Sequence, residues 1–164
     1  MVVREVQTAS PAETEALGER LGATADGGEV LGLEGELGAG KTCLVRGLAR
    51  GLGADADAVA SPTFIIATEY EGGRRPLHHV DLYRLEPPLA DTLFLREVLY
   101  GAGVAAVEWF DRLLPACGDD VLRVVLSHGE GERRTIRLTA HGGLHEAWLL
   151  RAFPLKTTQD CTWD

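Results

Sequence analysis

The stretch GELGAGKT, residues 35–42, decides the fold of this chain. It fits the pattern G-x-x-x-x-G-K-[ST], in which a glycine-rich loop places successive backbone N–H groups around the oxygens of bound phosphates. Glycine allows the tight turns and the close approach to an anion that such a loop requires. We predict that Lys41 reaches the β- and γ-phosphates of a nucleotide and that the Thr42 hydroxyl ligates Mg²⁺.

The sequence on both sides of this loop supplies the context that a phosphate loop needs. Residues 29–34 are short and largely apolar, which suits a buried strand. Leucine and valine recur at helical spacing over residues 41–52, and Gly53 suits a helix end. Such a helix points its positive end at the same phosphates. A glycine-rich turn that binds nothing is the alternative, and the strand–loop–helix context favours phosphate binding.

The rest of the chain alternates strand-like and helix-like segments. Together with the loop, this predicts an α/β fold, a P-loop NTPase-like three-layer sandwich whose mostly parallel central sheet carries antiparallel hairpin additions. Ser10 and Glu13 form a capping box with proline at position 11, so a helix is predicted to begin there. The predicted strands cover residues 2–6, 29–34, 64–70, 76–85, 103–109, 121–126 and 135–138, and the predicted helices cover residues 11–21, 41–52, 89–100 and 144–153, with a short helix ending at Leu114.

Length and charge narrow the possible functions. A chain of 164 residues predicts one domain, here over residues 1–153, with 154–164 as a loose tail. The net charge of −9 argues against strong direct binding of nucleic acid, which usually requires a basic face. We find no apolar run that could cross a membrane and no signal pattern at the N-terminus, so we expect a cytoplasmic protein. The three cysteines form no C-x-x-C motif and are expected to be reduced.

Two acidic residues could complete a Mg²⁺ site beside the loop. Asp81 follows the strand-like residues 77–80, and Glu108 follows the apolar residues 104–107. A carboxylate at the end of a neighbouring strand is where such a site places its second acid. We therefore predict Asp81 and Glu108 as catalytic and metal-binding candidates together with Lys41 and Thr42. The residues leave open which acid positions the attacking water.

Other polar residues nearby allow two interpretations each. Residues 61–63, Ser-Pro-Thr, suit either a turn at a strand start or a switch that reports on the γ-phosphate. His78 and His79 point to opposite faces of a strand, so they cannot ligate one metal together, and we expect one solvated and one packed. Trp109 suits the core, or a place where it excludes water from an acid.

Four motifs in order, GELGAGKT, SPTF, HHVDLYRL and VEW, resemble those of the bacterial TsaE family, also called YjeE. The similarity covers roughly residues 6–138, and the later motifs are far more specific than the loop. This family is the small ATPase needed to make N6-threonylcarbamoyladenosine on tRNA. The sequence departs from the family pattern at Phe110, where the family often has a small residue or proline.

The resemblance implies a role for each matching position. Asp81 would be the Walker-B-like acid, Glu108 a second acid near the metal, and residues 61–63 a switch loop. Arg134 and Ser10 match family positions near the nucleotide more loosely. The nucleotide-binding residues predicted from the loop and the resemblance are Ser10, Glu36, Leu37, Gly38, Ala39, Gly40, Lys41, Thr42, Thr63 and Arg134.

The resemblance also implies cofactors and partners. Such proteins bind ATP with Mg²⁺, hydrolyse it slowly alone, and act in a complex with the transferase subunit TsaD and its partner TsaB. They contact tRNA only indirectly, which suits the acidic charge. A small-molecule P-loop kinase is the main alternative, although the chain lacks a long arginine-bearing lid insertion. A GTPase is disfavoured because the sequence has no asparagine for an Asn-Lys-x-Asp motif. A module that binds ATP without turnover is the third possibility.

Overall fold

The structure of this protein is a computed structural model that describes residues 1–60, 67–84, 93–112 and 120–154. Single 3₁₀ turns occupy Ala56–Ala58 and Phe110–Arg112. The strands are β1 Val2–Thr8, β2 Val30–Glu34, β3 Ala67–Tyr70, β4 Leu77–Asp81, β5 Val104–Glu108, β6 Val121–His128 and β7 Arg134–His141, and the helices are α1 Pro11–Thr24, α2 Lys41–Leu52, α3 Leu93–Tyr100 and α4 Gly143–Ala152.

The seven strands of the described residues form one sheet with the order β1-β7-β6-β2-β5-β4-β3. The inner strands β6, β2, β5 and β4 run parallel to one another. β7 and β1 extend one side of the sheet by antiparallel pairing, and β3 pairs antiparallel with β4 on the other side. The predicted fold class, a parallel centre with antiparallel hairpin additions, is confirmed.

Helices cover both faces of the sheet. Buried side chains of α1, α2 and α4 pack on one face, and those of α3 pack on the other. The β2 strand is buried along nearly its whole length because helices lie on both of its sides. Phe110, the departure from the family pattern, packs its ring over Gly32 of β2, where a Cβ atom would come within 2.6 Å of the ring. None of the helices in the described part of the chain is long and apolar enough to span a membrane.

Several predicted boundaries were wrong, each for a physical reason. The strand predicted over 76–85 ends at Asp81, whose carboxylate accepts the N–H of Tyr83 and so forms a turn. The helix predicted to end at residue 21 continues to Thr24, because Arg74 donates to the carbonyls near its end. β6 and β7 are longer than predicted, since their pairing continues to His128 and Arg134.

Some predictions concern residues that the structure does not describe. These are the Ser-Pro-Thr turn and the start of the following strand within 61–66, the helix start within 89–92 and the short helix end at 113–114. The tail predicted over 154–164 also lies outside the described residues except for Pro154.

Glycines bring α1 and α2 into unusually close contact. A Cβ atom at Gly18 of α1 would lie 2.1 Å from the carbonyl oxygen of Leu44, and one at Gly47 of α2 would lie 1.9 Å from that of Glu15. Gly22 and Gly51 make equivalent backbone contacts. A real Cβ cannot approach backbone this closely, so any side chain at these positions would push the two helices apart.

We expect Gly47→Ala to reduce the free energy of unfolding by about 3 kcal/mol, because the helix backbones must separate to admit the methyl group. Urea unfolding followed by circular dichroism measures this change. Gly143→Ala is the matched control, since Gly143 lies at the start of α4 with nothing within 4 Å of its Cβ position. That variant should be unchanged or more stable by up to about 1 kcal/mol. Equal stability of the two variants would contradict the close-packing interpretation.

Candidate functional site

The glycine loop adopts a backbone conformation that other residues rarely take. Gly38 has φ 76° and Gly40 has φ 103°, both in the left-handed region. Gly40 is the N-cap of α2 and has no side chain that could cap the N–H groups of the first turn. Uncapped N–H groups at a helix N-terminus, next to a turned glycine loop, are suited to bind an anion.

The Lys41 amine is held inside the loop. Its Nζ atom donates to the carbonyl oxygens of Gly35 at 2.5 Å and Glu36 at 2.9 Å, and it lies 4.3 Å from the centre of the Trp109 ring. Burial lowers the pKa of Lys41, and the carboxylates of Glu108, Asp81 and Asp111 partly offset that effect. A bound anion would favour the charged amine, so phosphate would oppose the effect of burial.

The two predicted acids lie side by side next to the loop. Asp81 ends β4 and Glu108 ends β5, and the parallel pairing of these strands places the two residues opposite one another. Both side chains are buried. The Thr42 hydroxyl donates to Glu108 Oε1 at 2.8 Å, which joins the start of α2 to the end of β5. The structure therefore brings Lys41, Thr42, Asp81 and Glu108 together.

The two histidines before Asp81 lie on opposite faces of β4, as predicted. His78 is partly exposed, with its ring 3.7 Å from a carboxylate oxygen of Glu69, whereas His79 is fully buried. The sequence did not predict the contact between His79 Nε2 and Glu108 Oε1, which lie 2.7 Å apart. The alternation of side chains along a strand does place His79 and Asp81 on one face. Only the pairing of β4 with β5 brings that face to Glu108.

The aromatic rings of Tyr83 and Trp109 line one side of the site. Trp109 has φ 59°, a strained value for a bulky residue, and its ring lies 4.9 Å from that of Tyr83. Trp109 is partly buried against the core beside α3, and the Lys41 amine lies over its ring, so it does not fit the core interpretation alone. The cavity beside it has a volume of about 180 Å³ and is lined by Leu37, Gly38, Lys41, Thr42, Asp81, Tyr83, Glu108 and Trp109.

Arg134, the first residue of β7, is hydrogen-bonded to the backbone of the glycine loop. Its guanidinium donates to the carbonyl oxygens of Ala39 and Gly38, each at 3.2 Å, and also to carbonyls of its own turn. These bonds fix the peptide groups of residues 38 and 39. The predicted contact of Arg134 with nucleotide itself remains a prediction.

The remaining predicted residues contribute differently. The Ser10 side chain caps α1 by accepting the N–H of Glu13 at 3.2 Å, and its contact with nucleotide remains a prediction. The Glu13 carboxylate in turn accepts the backbone N–H of Ala9 at 2.6 Å, rather than that of Ser10. Glu36 and Leu37 lie in the loop, and Leu37 is exposed. Thr63 lies outside the described residues.

The donor set fits Mg²⁺ shared with a ligand rather than a complete protein cage. Across residues 1–60, 67–84, 93–112 and 120–154, no group of three or more His, Cys, Asp and Glu side chains could hold a metal ion. Mg²⁺ in nucleotide sites usually keeps several waters and takes one or two protein oxygens plus phosphate oxygens. Thr42, Asp81 and Glu108 offer such oxygens at one edge of the loop.

The sheet and the glycine loop define the class of P-loop α/β proteins. The family model described as threonylcarbamoyl adenosine biosynthesis protein TsaE matches residues 8–136. A tRNA threonylcarbamoyladenosine biosynthesis protein TsaE from Bacillus subtilis is 41% identical over 140 residues, 85% of this chain and 87% of that protein. The chain belongs to the TsaE family.

Two further comparisons agree with this assignment. The Nostoc protein of the same name is 42% identical over 127 residues, 75% of this chain and 77% of that protein. The crystal structure of YdiB from Bacillus subtilis matches 92% of this chain and 94% of its own with a TM-score of 0.74 and 34% identity.

For the ATP binding that the sequence predicts, we expect Arg134→Ala to raise the dissociation constant about tenfold, because two hydrogen bonds from a charged group to the loop carbonyls are lost. Isothermal titration with Mg·ATP measures the change. Arg133→Ala is the matched control, since this arginine is exposed on the same turn. An equal, small effect of both substitutions would argue against a supporting role for Arg134.

The Cys43 thiol is expected to react slowly. It donates to the carbonyl of Pro11, and burial raises its pKa, with a further rise from Glu15 and a partial offset from Arg46. A raised pKa keeps less thiolate at neutral pH, so alkylation by iodoacetamide at pH 7.5 should be slower than for free cysteine and should continue to accelerate with rising pH. Mass spectrometry of a variant with Cys117 and Cys161 replaced by serine measures this. Alkylation as fast as that of free cysteine would contradict it.

Proposed function

We propose that this chain is a cytoplasmic Mg²⁺-dependent ATPase that serves the formation of N6-threonylcarbamoyladenosine on tRNA, in a complex with TsaB and TsaD. The relatives that it resembles are named for tRNA threonylcarbamoyladenosine biosynthesis. ATP binding and hydrolysis are inferred from the chemistry of the site.

The observation that carries the proposal is the hydrogen bond from Thr42 to Glu108, with Asp81 beside it. A phosphate loop alone suits many ligands. Here Thr42 of the loop bonds the buried acid Glu108, and a second buried acid, Asp81, lies opposite Glu108 on the neighbouring strand. This arrangement is typical of sites that hold a triphosphate with Mg²⁺ and orient a water towards it.

Each residue of the site has a defined task in hydrolysis. The loop N–H groups and the Lys41 amine bind the phosphate oxygens and stabilise the charge that develops on them. Thr42 and the two acids would hold Mg²⁺, which would supply positive charge to offset that of the phosphates. Glu108 orients the attacking water, while Trp109 covers the amine of Lys41 and reduces access of bulk water.

The charge of the chain supports an indirect relation to tRNA. With a net charge of −9, the protein lacks the cationic excess that strong RNA binding usually requires. The proposed partners would therefore hold the tRNA. Low turnover by the chain alone and faster turnover in the complex would place ATP hydrolysis under their control.

We expect Glu108→Ala to reduce ATP turnover on the order of hundredfold or more, while ATP binding is largely retained. Lys41→Ala should weaken both, because the amine contacts phosphate in the ground state and in the transition state. Steady-state phosphate release with Mg·ATP, with TsaB and TsaD present and absent, measures turnover, and isothermal titration measures binding.

Glu132→Ala, an exposed acid on the β6–β7 turn, is the control and should match the wild type. Equal loss of binding and turnover in Glu108→Ala would contradict the division of labour between Lys41 and Glu108. Hydrolysis that TsaB and TsaD leave unchanged, together with phosphate transfer to a small metabolite, would instead identify a kinase.

A further inference from the structure

His79 is a fully buried polar residue that the proposed mechanism leaves without a task. Its ring is 0% exposed, and its Nε2 atom lies 2.7 Å from Glu108 Oε1. It belongs to β4, whereas Glu108 belongs to β5, so the contact joins neighbouring strands through their side chains. Burying a polar ring costs free energy unless the ring is hydrogen-bonded. The bond to Glu108 offsets part of this cost, and we asked what this bond does for Glu108.

The hydrogen-bonding capacity of the two groups determines the direction of this bond. Glu108 Oε1 already accepts the Thr42 hydroxyl, and when it also acts as the acceptor towards His79 the donor is Nε2–H. The other ring nitrogen, Nδ1, is buried and has no hydrogen-bond partner in the described part of the chain. A proton on Nδ1 would be an unsatisfied buried donor. The surroundings therefore favour the tautomer with its proton on Nε2.

Both hydrogen bonds to Glu108 reach the same oxygen. Thr42 Oγ1 donates to Oε1 at 2.8 Å and His79 Nε2 approaches it at 2.7 Å, whereas Oε2 accepts no hydrogen bond from the described residues. Two donors from different elements, α2 and β4, fix the rotation of the carboxyl group about its last torsion. The orientation of Oε2 is then fixed as well.

We propose that His79 is a positioning residue: it anchors Oε1 of Glu108 so that Oε2 is the oxygen presented to the ligand side of the site. The inference rests on the proposed ATPase function, because it assigns a task within that same site. His79 itself does not touch the ligand. Partners of this kind orient carboxylates at metal and nucleotide sites, and their loss typically costs roughly 10- to 100-fold in activity or affinity.

Three substitutions separate positioning from packing. His79→Leu removes the donor, and we expect kcat for ATP in the TsaB–TsaD complex to fall about 10- to 100-fold, with KM changed by less than about threefold. His79→Gln retains an N–H donor of similar reach and should recover most of kcat. His78→Leu is the matched control, one residue away on the opposite face, and should leave kcat unchanged.

Equal kcat in His79→Leu and His79→Gln would overturn the proposal when both variants melt at the wild-type temperature. So would a loss in His79→Leu that appears only in KM, or a loss that His79→Gln fails to restore although both variants melt at the wild-type temperature. Thermal melting of each variant therefore accompanies the kinetics.

A second measurement on the unsubstituted chain needs neither activity nor bound ligand. Long-range ¹H–¹⁵N spectra of the histidine rings identify which nitrogen carries the proton, with His79→Gln used to assign the signal. We expect the Nε2–H form of His79 and a clear shift of that signal in Glu108→Ala. The Nδ1–H form, or a spectrum that Glu108→Ala leaves unchanged, would overturn the proposal.

The two measurements also separate the two proposals. Absence of ATP turnover by the wild-type chain with TsaB and TsaD would refute the proposed function, and the spectra would still decide whether His79 anchors Glu108. Normal turnover in the wild type with no kinetic difference among the His79 variants would refute the positioning role alone.

Discussion

The close crossing of α1 and α2 is the constraint on which the site depends. Glycines remove the side chains that would otherwise keep two helices about 8–10 Å apart, so backbone meets backbone at the crossing. This fixes α2, and with it the start of α2 at Lys41 and Thr42. It also places α1 beside the loop, where a Cβ at Gly40 would contact Thr14 at 3.6 Å. Thr14 in turn bonds Thr8 of β1 at 2.8 Å.

β1 is also connected to the loop on its other side, through β7 and Arg134. β1 pairs along its length with β7, whose first residue is Arg134, and Arg134 binds the carbonyls of Gly38 and Ala39. The loop is thus held at both sides, by α2 at its end and by β7 behind it. Rigid support of this kind matters because phosphate-binding N–H groups stabilise developing charge only when they are oriented in advance.

The parts of the site set by local sequence could be predicted, and those set by strand pairing could not. The bounds of α2 followed from the loop and Gly53, and Asp81 and Glu108 followed from their places at strand ends. The contact between His79 and Glu108 depends on β4 lying next to β5. The local sequence does not predict which strands are neighbours in the sheet. The extension of α1 likewise depends on Arg74, which lies 52 residues beyond the Gly22 carbonyl that it binds.

The charges around Lys41 affect whether free or metal-bound nucleotide would bind at the site. Three carboxylates, those of Glu108, Asp81 and Asp111, act on one amine whose charged form burial already disfavours. A free triphosphate would add negative charge to a site rich in carboxylates, and the amine alone would not offset it. A divalent cation arriving with the phosphates would reverse this balance, since it attracts both the acids and the phosphate oxygens. The charge of the site therefore favours metal-bound over free nucleotide in the proposed function, and it explains why two acids can stand beside a loop that is suited to anions.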